Sequence, residues 1–175
     1  MTEETVSTKR VYNGGLLKVD EDTVTAKGGL ATREVVRHPG GACVAALNES
    51  GEVVLERQFR YAFGRVLTEL PAGKLEQGED PLFAIKRELM EEAGLAAEDW
   101  TLLTVLYPTV GYSDEMIYCY MAKGLFEKRL PMDDDEDIET FSVPLEKAVE
   151  MVENGEIRDA KTAVTILLAA RREKA

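Results

Sequence analysis

The sequence predicts an α+β protein with a small antiparallel β region ahead of its main domain. Three observations carry this. Residues 11–37 form short β-like runs, Leu16–Val19, Thr23–Ala26 and Leu30–Val36, punctuated by Asn13-Gly14-Gly15 and Lys27-Gly28-Gly29. Beyond the boundary at Pro39-Gly40-Gly41, apolar runs of strand length recur. Among and after those runs lie three segments with helix start and stop signals.

In chain order, residues 1–10 are polar and expected to fray. The meander that follows is too thin to bury a core alone, so it must pack on the main domain or on another chain. Ala42–Leu47, a turn at Asn48–Gly51, and Val53–Leu55 leading into Gln58-Phe59-Arg60-Tyr61 read as a hairpin of largely buried strands. Glu69-Leu70-Pro71-Ala72 reads as a strand that delivers the chain into a loop at Gly73. A helix is expected from about Pro81 to Ala93. Asp80 is a good N-cap, Pro81 takes the first helical position, where its missing N–H costs nothing, and Gly94 supplies a left-handed stop. Leu82, Ile85, Leu89 and Ala93 form one apolar stripe at helical spacing.

Trp100–Tyr107 and Met116–Ala122 are strand-like, with a loop over residues 108–115 between them. The run Asp133-Asp134-Asp135-Glu136-Asp137 reads by itself as a solvated tip, pinned near the domain body by the strand-like Ile138, Phe141 and Val143. Pro144 starts a helix to about Asn154, stopped by Gly155. Asp159 caps a last helix with Val164, Leu167, Leu168 and Arg171 at helical spacing.

Hydrophobic content of 45% over 175 residues allows a sizeable core. A net charge of −12 argues against nonspecific nucleic-acid binding and favours cations; an anionic substrate must come with metal or meet a local cluster of arginines. No signal-peptide core and no membrane-spanning run is visible, so a soluble, cytoplasmic protein with no membrane partner is expected. Cys43 and Cys119 each sit in an apolar stretch and read as buried free thiols. His38 is the lone histidine and has no companions for a zinc site. Arg57, Arg60 and Arg65 are either solvated strand-end residues or a bidentate grip on phosphate.

Glu88, Glu91 and Glu92 are rotated away from the apolar stripe, three and four residues apart near the C-terminal end of their helix. Like charges so spaced repel by roughly 0.2–0.5 kcal/mol per pair, and the macrodipole there disfavours anions. Either the face is solvated, with Arg87 pairing one carboxylate, or the acids hold hard cations, since Mg²⁺ takes carboxylate oxygens and keeps water and phosphate as its other ligands.

The spacing from Gly73 through Glu79, Arg87-Glu88-Leu89 and Glu91-Glu92 to Gly94-Leu95 resembles the Nudix box at every defined position. The resemblance implies a loop-helix-loop whose glutamates bind divalent cations in enzymes that cleave a diphosphate linked to a nucleoside. Glu88 and Glu92 would be the main metal ligands, with Ala72 offering a backbone carbonyl. Glu91 would be a further ligand or position water, Arg87 would hold the glutamates, and Glu79 would brace the loop.

Arg33-Glu34-Val35-Val36, His38-Pro39-Gly40, Gln58-Phe59-Arg60-Tyr61, Glu69–Glu76, Tyr107-Pro108, Gly111–Glu115, the acidic run and Asp159-Ala160-Lys161-Thr162 together resemble the ADP-ribose pyrophosphatase branch of that family. This implies an α/β/α sandwich with a mixed sheet over residues 39–175, and a β-rich dimerisation region over residues 1–38. The implied substrate is ADP-ribose, or another nucleoside diphosphate sugar such as GDP-mannose or ADP-glucose, turned over with Mg²⁺ or Mn²⁺. Arg33, Arg60, Glu69 and Glu115 would bind substrate at a homodimer interface, and Tyr12 would stack on adenine. Glu136 would be a metal ligand and Asp134 the base, although the family commonly has two glutamates spaced in this way and Asp is one methylene shorter.

Overall fold

Strands β1 (Glu4–Asn13), β2 (Lys18–Ala26) and β3 (Gly29–Arg37) pair antiparallel in that order. The structure, a computed structural model, describes residues 2–132 and 137–175. Those residues form two compact units, one holding the chain up to Gly40 together with Tyr107–Met116, the other Gly41–Leu106 and Ile117–Ala175.

In the first unit the expected fraying of residues 1–10 is overturned for residues 4–10: they lie in β1, which pairs with β2 from Glu4↔Thr25 to Asn13↔Lys18. Polarity misled here because this sheet is fastened by charge. Asp20 and Asp22 are buried. Arg10 lies opposite Asp20 and pairs with it, while Arg37 reaches Asp20 at 3.1 Å, Asp22 at 2.9 Å and Asp114 at 3.2 Å. Hydrogen bonds from Arg10 hold the Asp20 carboxyl below its ordinary pKa. The 107–116 segment adds to β3 through Val36 N–H, which donates to the Tyr112 carbonyl at 2.7 Å.

The second unit carries a mixed sheet in the order β7 (Ala72–Lys74), β4 (Gly41–Ala46), β9 (Ile117–Glu127), β8 (Leu95–Leu106), with β4 and β9 parallel. Strands β10 (Ile138–Pro144), β5 (Glu52–Arg60) and β6 (Arg65–Glu69) form a separate antiparallel sheet. Strand β4 is buried on both faces. Its Ala42, Val44 and Ala46 pack with Ile85 and Leu89 of helix α1 (Pro81–Glu92). Ala45, with Leu47 beyond it, packs on the other side with α2 (Leu145–Glu153) and α3 (Ala160–Glu173). This is an α/β/α sandwich, and each fully buried aliphatic side chain in it contributes about 1.5–3 kcal/mol.

Three further expectations are corrected. The 42–61 hairpin is reduced to one bridge, Leu47↔Val53, because β7 and β9 take both edges of β4 while β5 pairs with β6 and β10. The expected strand over residues 69–72 is interrupted: β6 ends at Glu69 and β7 begins at Ala72. The last helix turns Thr162, Thr165, Ile166 and Ala169 inward and leaves Leu167 exposed. Its threonines can be buried because each hydroxyl is bonded, Thr162 Oγ1 to Asp159 at 2.6 Å and Thr165 Oγ1 to the Lys161 carbonyl at 2.7 Å. Cys43 and Cys119 are buried free thiols as expected, and the β4–β9 register brings their sulfurs to 3.6 Å. No helix among the described residues is long and apolar enough to cross a membrane.

Candidate active site

Helix α1 starts where its local sequence dictates, with Asp80 accepting hydrogen bonds from Leu82 N–H at 2.9 Å and Phe83 N–H at 3.3 Å. Gly94 follows its end at a φ of 67°. A buried stripe of Ala84, Ile85 and Leu89 fixes its rotation, and the same rotation buries Glu88 and Glu92. The solvated-face reading therefore fails for these two: they are 9% and 4% exposed. Acids so placed need compensation, and Arg87 supplies part of it. Its guanidinium meets Glu88 at 3.0 Å, Glu91 at 2.8 Å and Glu79 at 3.5 Å. Burial works against the Arg87 charge, but Glu88, Glu79 and Glu91 outweigh it and raise its pKa. Glu79 in turn accepts from Glu76 N–H at 2.9 Å, which ties the loop to the helix.

The 72–74 strand supplies the opposite wall. Ala72 N–H donates to Glu92 Oε2 at 2.9 Å. The bare Cα of Gly73 leaves room for Glu88: a Cβ there would lie 1.9 Å from Glu88 Oε1 and force that carboxylate to move.

Beside this wall lies a second charged cluster. Arg60 grips Glu69 with its fork, Nε to Oε1 at 2.6 Å and Nη2 to Oε2 at 2.7 Å. Lys161 also bonds to Glu69, and to Asp159 at 3.0 Å. Burial pushes the Glu69 carboxyl up, but Arg60 and Lys161 outweigh it and bring its pKa below the ordinary value. Burial likewise opposes the Lys161 charge, which Asp159 and Glu69 restore. Glu56, opposite Glu69 in the β5–β6 pair, has no exposed surface. Burial and the nearby Glu69 push its pKa up to about 8.

The remaining arginines expected near phosphate are otherwise engaged or open. Arg57 pairs with Glu139 at 3.3 Å and lies over the Phe141 ring at 4.4 Å, while Arg65 is exposed opposite Arg60. Arg33, Tyr12 and Glu115 belong to the first unit. There Arg33 forks onto Glu3 at 3.0 and 2.6 Å, the exposed Tyr12 ring lies over Gly14, and Glu115 Oε1 is 3.4 Å from His38 Nδ1. Asp134 and Glu136 lie outside the described residues.

The donor set around Glu88 and Glu92 is all oxygen, which suits a hard divalent cation and not a soft one. Among the described residues no three metal-binding side chains converge as one group. A cation here would complete its shell from backbone carbonyls, water, substrate phosphate or the acidic run. The close seat of Glu88 on Gly73 is consistent with such a centre.

Sequence reading missed Glu56 and gave no role to Lys161. The signal for Glu56 was available, since it is an acid that directly continues the apolar run Val53-Val54-Leu55. Lys161 stood in a motif but nothing local pointed it at Glu69, 92 positions away.

Residues 36–173 match the NUDIX domain family model. The chain is 37% identical over 169 residues to an ADP-ribose pyrophosphatase of Bacillus subtilis (strain 168), covering 95% of this chain and 91% of that one. It is 35% identical over 167 residues to a methanol dehydrogenase activator of Bacillus methanolicus, covering 94% and 90%. A crystal structure of an ADP compounds hydrolase superposes with a TM-score of 0.84 at 20% identity, covering 99% of this chain and 95% of that one, and shares the fold. With its box of glutamates buried on one helix against Ala72 and Gly73, the chain belongs to the NUDIX domain family.

Proposed function

We propose that this protein hydrolyses the diphosphate bond of ADP-ribose to AMP and ribose 5-phosphate, with Mg²⁺ as cofactor and Mn²⁺ as a substitute. The observation that carries the reading is the burial of Glu88 and Glu92 on one face of α1, against the Ala72–Gly73 wall, in a chain of this family.

Glu88, Glu92 and the Ala72 carbonyl, with Glu136 of the acidic run, hold the cations. When bound, these offset the charge of the diphosphate, lower the pKa of a water and stabilise the leaving phosphate. Arg87 keeps Glu88 and Glu91 oriented, and Glu91 positions water or serves as a further ligand. Asp134 or Glu136 takes the proton from the attacking water. Arg60 binds the diphosphate through Nη1, since its Nε and Nη2 are committed to Glu69. Glu69 therefore acts by aiming Arg60, not by touching substrate. Arg33 and Glu115 complete substrate binding and Tyr12 stacks on the base. Residues 1–38 form the dimerisation region and 39–175 the hydrolase domain of a cytoplasmic homodimer.

The test is product analysis with ADP-ribose, NADH, ADP-glucose and GDP-mannose, each with and without Mg²⁺, beside Glu92→Gln. Mg²⁺-dependent AMP from ADP-ribose, lost in the variant, is expected. Preferential turnover of another diphosphate would discard the substrate and keep the metal helix.

A further inference from the structure

The first turn of α3 carries a lysine that reaches a strand end far from it in sequence. Lys161 follows the cap Asp159 by two residues and is half-buried. Its Nζ donates to Glu69 Oε2 and to Asp159 Oδ2, the latter at 3.0 Å. Asp159 is itself fixed, because the same oxygen accepts from Thr162 N–H at 3.0 Å and from Thr162 Oγ1 at 2.6 Å. Thr162 Oγ1 in turn accepts from Leu70 N–H at 3.0 Å, and Leu70 follows Glu69 in the chain. The contacts close a ring, Glu69–Lys161–Asp159–Thr162–Leu70, that ties the start of α3 to the end of β6.

This ring does more than neutralise a buried acid, since Arg60 alone matches the charge of Glu69. A carboxylate held by one arginine can still turn and carry the fork with it. Lys161 removes that freedom. Glu69 Oε2 is shared between Lys161 Nζ and Arg60 Nη2, the latter at 2.7 Å, while Oε1 takes Arg60 Nε at 2.6 Å. The Glu69 side chain is 2% exposed, so bulk water does not supply such a hold, whereas Arg60 keeps 37% of its side chain open. Arg60, Glu69, Lys161 and Asp159 alternate in sign and sum to zero. Burying charges in this way is a poor route to stability, because apolar packing of the same volume often does as well. It is a good route to fixing the plane of a guanidinium, whose fork is directional.

We propose that Lys161 is a positioning residue: by locking the Glu69 carboxylate from α3, it sets the plane of the Arg60 fork and the direction in which Arg60 Nη1 is offered to the diphosphate. Asp159 anchors Lys161 and acts through it. This rests on the reading of Arg60 as a diphosphate-binding residue. It extends that reading from the strand that bears the arginine to the last helix of the chain. Lys161 acts through Arg60 and not on the substrate.

The test is a double-mutant cycle in Mg²⁺-dependent hydrolysis of ADP-ribose, or of whichever diphosphate the wild type prefers. It compares wild type, Lys161→Met, Arg60→Gln and the two together, well below their melting temperatures, with circular dichroism to report folding. Lys161→Met should fold and raise KM about tenfold, with kcat changed by less than about threefold. In the Arg60→Gln background the same substitution should change kcat/KM by less than about twofold, since no fork is left to aim. An unchanged KM in Lys161→Met, or an equal loss with and without Arg60, would overturn the role of Lys161 and leave the proposed function standing. Wild-type kinetics in Arg60→Gln would overturn the reading of Arg60 and this inference with it. No turnover by the wild type would overturn the proposed function itself. Should Lys161→Met fail to fold, Asp159→Asn decides, because Asn keeps the helix cap and drops the charge that holds Lys161. A raised KM that disappears in the Arg60→Gln background is expected there, and a wild-type KM overturns the proposal.

Discussion

A single missing methyl group shapes the wall that faces Glu88. Gly73 leaves room for the Glu88 carboxylate, and a Cβ would displace it. Because the displaced atoms end a flexible side chain, Gly73→Ala should change stability by no more than about 1 kcal/mol while lowering kcat/KM by about tenfold or more. Steady-state kinetics beside a urea melt separates the two, and an active Ala variant would dismiss the close seat. Glu69 makes a second prediction at this scale. Its pKa falls on folding, so its contribution to stability is fully present above the unfolded value of about 4.5 and is lost as pH falls through the lower folded value. Glu69→Gln should cost about 3 kcal/mol at neutral pH, the low end for a broken buried pair because Arg60 is partly exposed. Melting curves of variant and wild type should begin to approach one another as pH falls below about 4.5 and meet only once it has fallen through the lowered folded value; a constant gap across pH would exclude the ion pairs as its cause. These contacts were only partly legible in the sequence. The Nudix-box spacing named Glu88 and Glu92, but the partners of Glu69 come from strand and helix positions far along the chain.

At the scale of the element, α1 does two jobs with one rotation, burying an apolar stripe and carrying its acids inward. It tolerates anions near its C-terminal end because Arg87 and the Ala72 N–H engage them. Its start depends on Asp80, so Asp80→Ala should cost about 1 kcal/mol and reduce cation affinity only slightly. A urea titration read by circular dichroism checks the first and Mn²⁺ titration the second. This helix could be read from sequence to within a residue because cap, proline and glycine stop are all local signals. The β4–β5 hairpin could not. Which strand takes an edge of β4 is settled by residues near 72 and 119, and no local pattern contains that choice. The last helix was misjudged for a similar reason. Thr162 and Thr165 look like surface residues until their bonded hydroxyls are seen.

For the molecule as a whole, a mixture of strands and helices was legible from strand-length apolar runs and capped helices, while the mixed sheet with helices on both faces was legible only through the resemblance to the Nudix family. The first unit was less so. Its strands are fastened by Arg10 and Arg37 on Asp20 and Asp22, a polar interior that hydrophobic patterning passes over. Its first strand is exposed along its whole length, which supports assembly through this region. Light scattering at micromolar concentration should give twice the chain mass, and a monomer there would refute the dimer. The two thiols of the central strands have a use of their own. Lying 3.6 Å apart without surface exposure, Cys43 and Cys119 are hidden from any reagent in solution until β4 and β9 part. Their labelling by a coloured disulfide is thus a stopwatch for the opening of the sheet. Native protein should label at the rate at which it globally unfolds, faster with urea and slower with cation and substrate bound, whereas prompt labelling in buffer would mean that the middle of the sheet breathes.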